Sequence, residues 1–166
     1  DGCLALSAPA GWPRYRFEAV ADPHTHMLEV RQQTALTGDV RPKTGEIVFN
    51  VPVNGAPGVF ILRRARLAGD FPPLAADSVG LQGTTLRLRL PPEAAQSPTV
   101  TVCLDYTLRL PAAGNEGISA LHALAWSDLG MIAGYWYAVL APYAPGREGG
   151  WLLTPYHGVG DPIVYE

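Results

Sequence analysis

From Tyr15 to Leu110 apolar side chains return at every second position, and this period restricts the fold more than any other property of the chain. A step of two puts alternate side chains on one face of a pleated strand, whereas a helix needs a return every three or four. The clearest run carries Val100, Val102, Leu104, Tyr106, Leu108 and Leu110 on one face, with Thr101, Cys103, Asp105, Thr107 and Arg109 on the other. It predicts a long strand, buried on one face and solvated on the other. Just before it Leu86, Leu88 and Leu90 alternate with Arg87 and Arg89. Pro91, Pro92 and Pro98 lie between the two runs and cannot continue a ladder, so the runs are expected as adjacent strands across a loop. Tyr15, Phe17 and Ala19 alternate with Arg16 and Glu18, Asp22-Pro23 supplies a turn, and Leu28, Val30 and Leu36 resume the pattern. That order predicts a hairpin. Ile47, Phe49, Val51 and Val53 follow, then Asn54-Gly55 and Pro57-Gly58 mark a turn before a further strand from Val59 to Leu67.

Strands at such short intervals, with no 3.6-residue period between them, predict an all-β chain: an antiparallel β-sandwich or layered sheets with little helix. Helix is expected only briefly, at Pro92 to Gln96 or within Ile118 to Ala125, where Ala and Leu are dense. From Pro111 to Gly134 the alternation is lost among glycines, and a long irregular stretch of this kind is usually functional or lacks its supporting neighbour. The length of 166 residues predicts one domain, with 1–13 as an N-terminal tail and 14–166 as the β-domain. A hydrophobic content of 48% against 16% charged residues is too apolar for a disordered chain, and no uninterrupted apolar run reaches the roughly 18 residues of a membrane span. The formal charge is −3, and the basic residues are spread along the strands, with Lys43 the single lysine. Nucleic acid, which demands a concentrated positive surface, is thereby excluded as an expected partner.

The residues that carry chemistry are sparse. His24 and His26 sit two apart, His122 and His157 stand alone, and no His-Glu-x-x-His run occurs, so neither a zinc centre nor a nucleophile's base is expected. No catalytic, cofactor-binding or metal-binding residue is assigned. His24 and His26 flank a turn and are read as ordinary residues facing solvent, and His157 as a loop-fixing hydrogen-bonder. Asp105 and Asp128 have no partner spaced for acid and base roles and are read as solvated or paired with arginine. Cys3 lies in the tail and Cys103 in a strand, so a disulfide between them is permitted and not required. Asp1 in place of Met favours an exported or cell-envelope protein. Gly2-Cys3 is similar to the end of a lipoprotein cleavage site, but Asp1 is a poor residue there and lipidation is not expected. Trp126, Leu129, Met131, Ile132 and Tyr135 form the candidate interface with a partner domain, since clustered exposed apolar residues mark such surfaces. The competing expectation is that Trp126, Leu129, Met131 and Ile132 simply close one end of the sandwich.

The order of Tyr15-Arg16-Phe17, a turn, a strand ending near Leu36, a short strand with Phe49-Asn50, the leucine-rich strand at 86–90 and the long strand at 100–110 resembles the N-terminal domain of the M1 (gluzincin) zinc aminopeptidases. The most specific part comes last. Tyr135-Trp136-Tyr137-Ala138-Val139-Leu140-Ala141-Pro142-Tyr143, then Gly150-Trp151 and Gly160-Asp161-Pro162, is similar to the stretch where that family has a Trp, an aromatic, usually a Pro, a hydrophobic run, a Tyr, a Gly-Trp and a Gly-Asp. Ala138 departs from the usual Pro. The resemblance spans 15–166 and implies a non-catalytic β-domain that packs on a separate thermolysin-like domain and helps shape its cleft. Zinc and the catalytic Glu belong to that other domain, and peptide substrate is met only through it. The resemblance also implies that the β-domain continues past Glu166 by a few strands. An unfinished sheet edge predicts self-association, or an abnormal path for Ile163 to Glu166. The alternative reading is a stand-alone secreted binding module for carbohydrate or protein, with Trp136, Trp151 and neighbouring tyrosines as its platform.

Overall fold

The alternation seen in the sequence builds two facing antiparallel sheets in the computed structural model, which describes residues 2–41, 45–56, 58–113, 124–144 and 150–153. The strands are β1 (Arg14–Asp22), β2 (Met27–Thr37), β3 (Glu46–Asn50), β4 (Phe60–Leu67), β5 (Val79–Gln82), β6 (Thr85–Arg89), β7 (Thr99–Arg109), β8 (Leu124–Ser127), β9 (Gly130–Ala133) and β10 (Val139–Leu140). Among the described residues one short α-helix, α1 (Pro92–Gln96), precedes β7, as the sequence predicts. The first sheet has the order β1-β2-β7-β4 and the second β10-β3-β6-β5, while β8 and β9 form a two-stranded sheet that a bridge from Trp126 to Ala112 joins to the chain beyond β7. The all-β, antiparallel, layered expectation holds.

One buried cluster lies between the sheets. Leu36, Val100, Val102, Leu104, Tyr106 and Leu108 from the first sheet join Ile47, Phe49, Leu86 and Leu88 from the second, all at 2% exposure or less. Each such side chain contributes about 1.5–3 kcal/mol when fully withdrawn from water, so this interior is the main stabilising term. The inward phase of β4 is kept by a bulge: Leu62 pairs with Tyr106 and Arg64 with Asp105, which leaves Arg63 as the extra residue. Phe60 and Leu62 before it, and Ala65 and Leu67 after it, can then share one face, because a one-residue insertion resets a period of two. The Asp22 turn also forms as expected. The carboxylate accepts from the Thr25 hydroxyl at 2.7 Å and from the His24 N–H at 2.8 Å, and these bonds hold its pKa below the usual range.

Three expectations change. The leucine-rich β6 and the long β7 are not neighbours: β6 pairs with β3 and β5, and β7 with β2 and β4, in the opposite sheet. The prolines and α1 arch the chain across the core, and buried Arg41 fixes the arch by donating to the carbonyls of Ala95 and Ser97. The two alternating runs therefore face each other instead of lying side by side. Secondly, β7 is not half solvated. Thr101, Cys103 and Thr107 on its outer face are 5% exposed or less. The segment expected as a tail covers part of that face, held by a Cys3–Cys103 disulfide, by Leu6 N–H donating to the Thr101 hydroxyl at 3.1 Å, and by the Gln33 amide donating to the Gly2 carbonyl at 2.8 Å. Thirdly, Leu124 and Ala125, placed in a candidate helix, begin the strand β8. Residues 114–123 of that region, with His122, lie outside the described residues, as do His157 and the 163–166 end.

Candidate functional site: an apolar hairpin clamped to the sandwich

Both sides of the hairpin β8–β9 obey the period of two. Trp126 opposes Met131 and Leu124 opposes Ala133 on one face, while Ala125 opposes Ile132 on the other. The first face packs inward: Leu124 is 1% exposed, and Trp126 and Met131 lie against the core. The second face and the turn point outward, with Ile132 at 59% and Leu129 at 100% exposure. Asp128, also in this turn, is exposed. Tyr135, just beyond the hairpin, is 57% exposed and holds a left-handed backbone with φ of 50°. That conformation costs a tyrosine about 1–2 kcal/mol. The five residues singled out from sequence therefore divide: Trp126 and Met131 pack against the core, and Leu129, Ile132 and Tyr135 are exposed.

Two anchors hold this hairpin. At its base Trp126 donates its N–H to the Pro111 carbonyl at 2.8 Å and accepts from Ala113 at 2.8 Å, continuing from the end of β7. The His26 ring stacks on the Trp126 indole with centroids 3.4 Å apart and planes within 5°. His26 is thus half-buried against an aromatic face and not directed to solvent, whereas His24 is exposed as expected. Replacing His26 with Ala is expected to remove the stack, lower stability by about 0.5–1.5 kcal/mol and weaken the near-UV circular dichroism of Trp126. Unchanged dichroism and unchanged stability would show that the stack does not hold the hairpin.

The second anchor fixes the chain that leaves the hairpin. Gln32, fully buried on β2, donates its amide to the Ala138 carbonyl at 2.7 Å and accepts the Ala138 N–H at 3.0 Å through its own carbonyl oxygen. One side-chain amide thereby stands in for a neighbouring strand. The Tyr106 hydroxyl is within hydrogen-bond distance of the Gln32 oxygen at 3.2 Å and of the Trp136 carbonyl at 3.3 Å. Burial pushes this phenol well above its usual pKa, so it stays protonated and able to donate. Tyr15 accepts the Leu140 N–H at 3.0 Å, and Ala141 donates to Val48. Trp136 and Tyr137 pack against Phe17 with centroids 5.0 and 5.1 Å away. Trp151 is 7% exposed and meets Tyr143 edge to face. Of the aromatic residues proposed as a binding platform, Trp151 is buried and Trp136, Tyr137 and Tyr143 are partly covered by internal packing, while Tyr135 is exposed.

Asp105 pairs with Arg66 at 2.7 Å and Arg31 at 3.5 Å, as the sequence predicts, and Glu18 pairs with Arg16 at 3.2 Å and Arg31 at 3.3 Å. The arginines of the first sheet are thus interleaved with carboxylates. Among the described residues no group of three or more His, Cys, Asp or Glu is placed to hold a metal ion. No helix among them is long and apolar enough to cross a membrane. Sequence reasoning missed Gln32, although Gln32 and Thr34 occupy the inward phase set by Leu28, Val30 and Leu36 and so announce a buried polar pair. No protein-family model matches the chain, and no curated protein matches it.

Proposed function

We propose that this chain is a non-catalytic β-domain that offers the tip of β8–β9 to a separate domain, and specifically that it is the N-terminal domain of an M1-type zinc aminopeptidase. The supporting observation is Leu129, wholly exposed at the tip of a hairpin whose other face is packed and doubly anchored. A rigidly held apolar projection suits docking, because the ordering cost is met before a partner arrives. The segment clamped by Gln32 is also the segment whose residues resemble the family. In this reading the zinc, which polarises water for attack on the peptide bond, belongs to the catalytic domain, and the present residues shape its cleft. The Cys3–Cys103 disulfide agrees with an exported or cell-envelope setting.

The reading is tested in the parent reading frame and then in the parent protein. The frame is expected to encode a His-Glu-x-x-His with a further Glu some twenty residues later. The double substitution Leu129→Ser and Ile132→Ser is expected to lower aminopeptidase kcat/KM about tenfold or more, since two desolvated interface side chains are removed. The thermal midpoint of the isolated β-domain should stay unchanged. A parent without a zinc-peptidase domain, or one whose activity ignores both substitutions, overturns the reading.

A further inference from the structure

The four sheet edges of the sandwich differ in how they are guarded. A free edge invites another strand unless it is short, bulged, charged or interrupted by proline. In the second sheet β5 has four residues and β10 two. In the first sheet β4 carries its bulge, with Arg63 and Arg64 beside it. The remaining edge, β1, runs nine residues in unbroken register with β2 and pairs with no second strand among the described residues. It contains no proline or lysine, its charged residues Arg14, Arg16, Glu18 and Asp22 are of both signs and so do not repel a like strand as the paired arginines of β4 do, and its stretch Ala19, Val20, Ala21 is uncharged, with Val20 at 69% exposure.

From this comparison we infer that β1 is an interaction edge whose partner is β1 of a second copy of the chain, paired antiparallel about a two-fold axis at Phe17. Charge selects both the partner and the register. An axis at Phe17 sets Arg16 of each copy opposite Glu18 of the other on the outer face, and Phe17 opposite Phe17 on the inner face. Arg16 and Glu18 already lie on one face 3.2 Å apart, each about half exposed (52% and 51%), so the Glu18 oxygen that holds Arg16 can turn to Arg16 of the other copy while its second oxygen keeps Arg31 at 3.3 Å. An axis at Glu18 opposes two glutamates. An axis at Ala19 matches Arg16 with Asp22, whose carboxylate is already occupied by His24 and Thr25. The product is one continuous eight-stranded sheet, isologous as a two-fold interface must be. The inference is independent of the proposed function, since β1 and the hairpin are separate surfaces.

Sedimentation velocity over a range of concentrations tests it, with circular dichroism confirming that every variant is folded. The unaltered chain is expected to be a concentration-dependent dimer. Arg16→Glu alone, or Glu18→Arg alone, places like charges across both sides of the axis and should raise the dimer Kd about tenfold. The double exchange restores opposite charges and should return the Kd to its starting value. The same register puts Val20 opposite Arg14, so Val20→Glu should tighten the dimer and Val20→Lys loosen it. A chain that stays monomeric at every concentration overturns the inference. So does a double exchange as weak as the single ones, or a dimer indifferent to all four substitutions.

Discussion

Removing the Cys3–Cys103 disulfide, by reduction or by the double substitution Cys3→Ser and Cys103→Ala, is expected to lower the unfolding free energy by about 3–5 kcal/mol. The two cysteines are 100 residues apart, so the bond closes more than half the chain into a loop in the unfolded state. Loop closure of that size is worth roughly 4.7 kcal/mol in the chain-entropy account. A domain of this size holds about 5–15 kcal/mol in all, so the loss approaches half of the total. The folded state loses less. Leu6 still reaches Thr101, and Gln33 still reaches Gly2, so the N-terminal segment keeps two attachments to the outer face of β7. Urea titration with and without reductant measures the effect. The midpoint should fall and the m-value rise, because the reduced unfolded chain exposes more surface. Amide exchange at Thr101 and Gln33 should quicken first. A shift under about 1 kcal/mol would mean that the unfolded chain is already compact, or that the segment is held chiefly by its hydrogen bonds.

The strands were legible because their inner faces are apolar at every second residue, which holds for β1, β6 and β7, and for β2 except at Gln32 and Thr34. Their partners were not, since a period of two names a face and not a neighbour. The leucines of β6 and the Val100–Leu110 run look the same whether they lie side by side or across a core. Only the reach of the Pro91–Pro98 arch and its clasp by Arg41 decide between the two arrangements. The outer face of β7 was misjudged for a related reason. Thr, Cys and Thr are small enough to be covered, and what covers them is tied down by a cysteine 100 residues away. At the hairpin, the alternation of Leu124 with Trp126 and of Met131 with Ala133 was present, but it spans only four residues per strand between glycines. Which of those side chains face out depends on His26, whose stacking on Trp126 nothing in the sequence announces.

Gln32→Leu is expected to cost about 2–4 kcal/mol and to free the chain that follows the hairpin. The leucine fills much the same volume and gains apolar burial, yet it leaves the N–H and the carbonyl of Ala138 without partners at a fully buried position. Each abandoned backbone group costs roughly 1–3 kcal/mol. Two lesser changes dissect the clamp. Tyr106→Phe removes one hydroxyl but leaves both bonds between Gln32 and Ala138, so a loss of about 1 kcal/mol is expected. Ala138→Pro, which installs the residue usual in the resembled family, deletes the N–H that Gln32 accepts while its carbonyl oxygen keeps Tyr106. It should cost less than Gln32→Leu, because only one of the two Gln32 bonds to Ala138 is lost. Thermal unfolding gives the order, and hydrogen exchange at Leu140 and Ala141, whose N–H groups bond Tyr15 and Val48, shows whether the ribbon has lifted. If Gln32→Leu proved neutral with Leu140 still protected, packing of Trp136 and Tyr137 on Phe17 would have to hold the segment alone. The hairpin tip would then be positioned by aromatic contact and not by the buried amide.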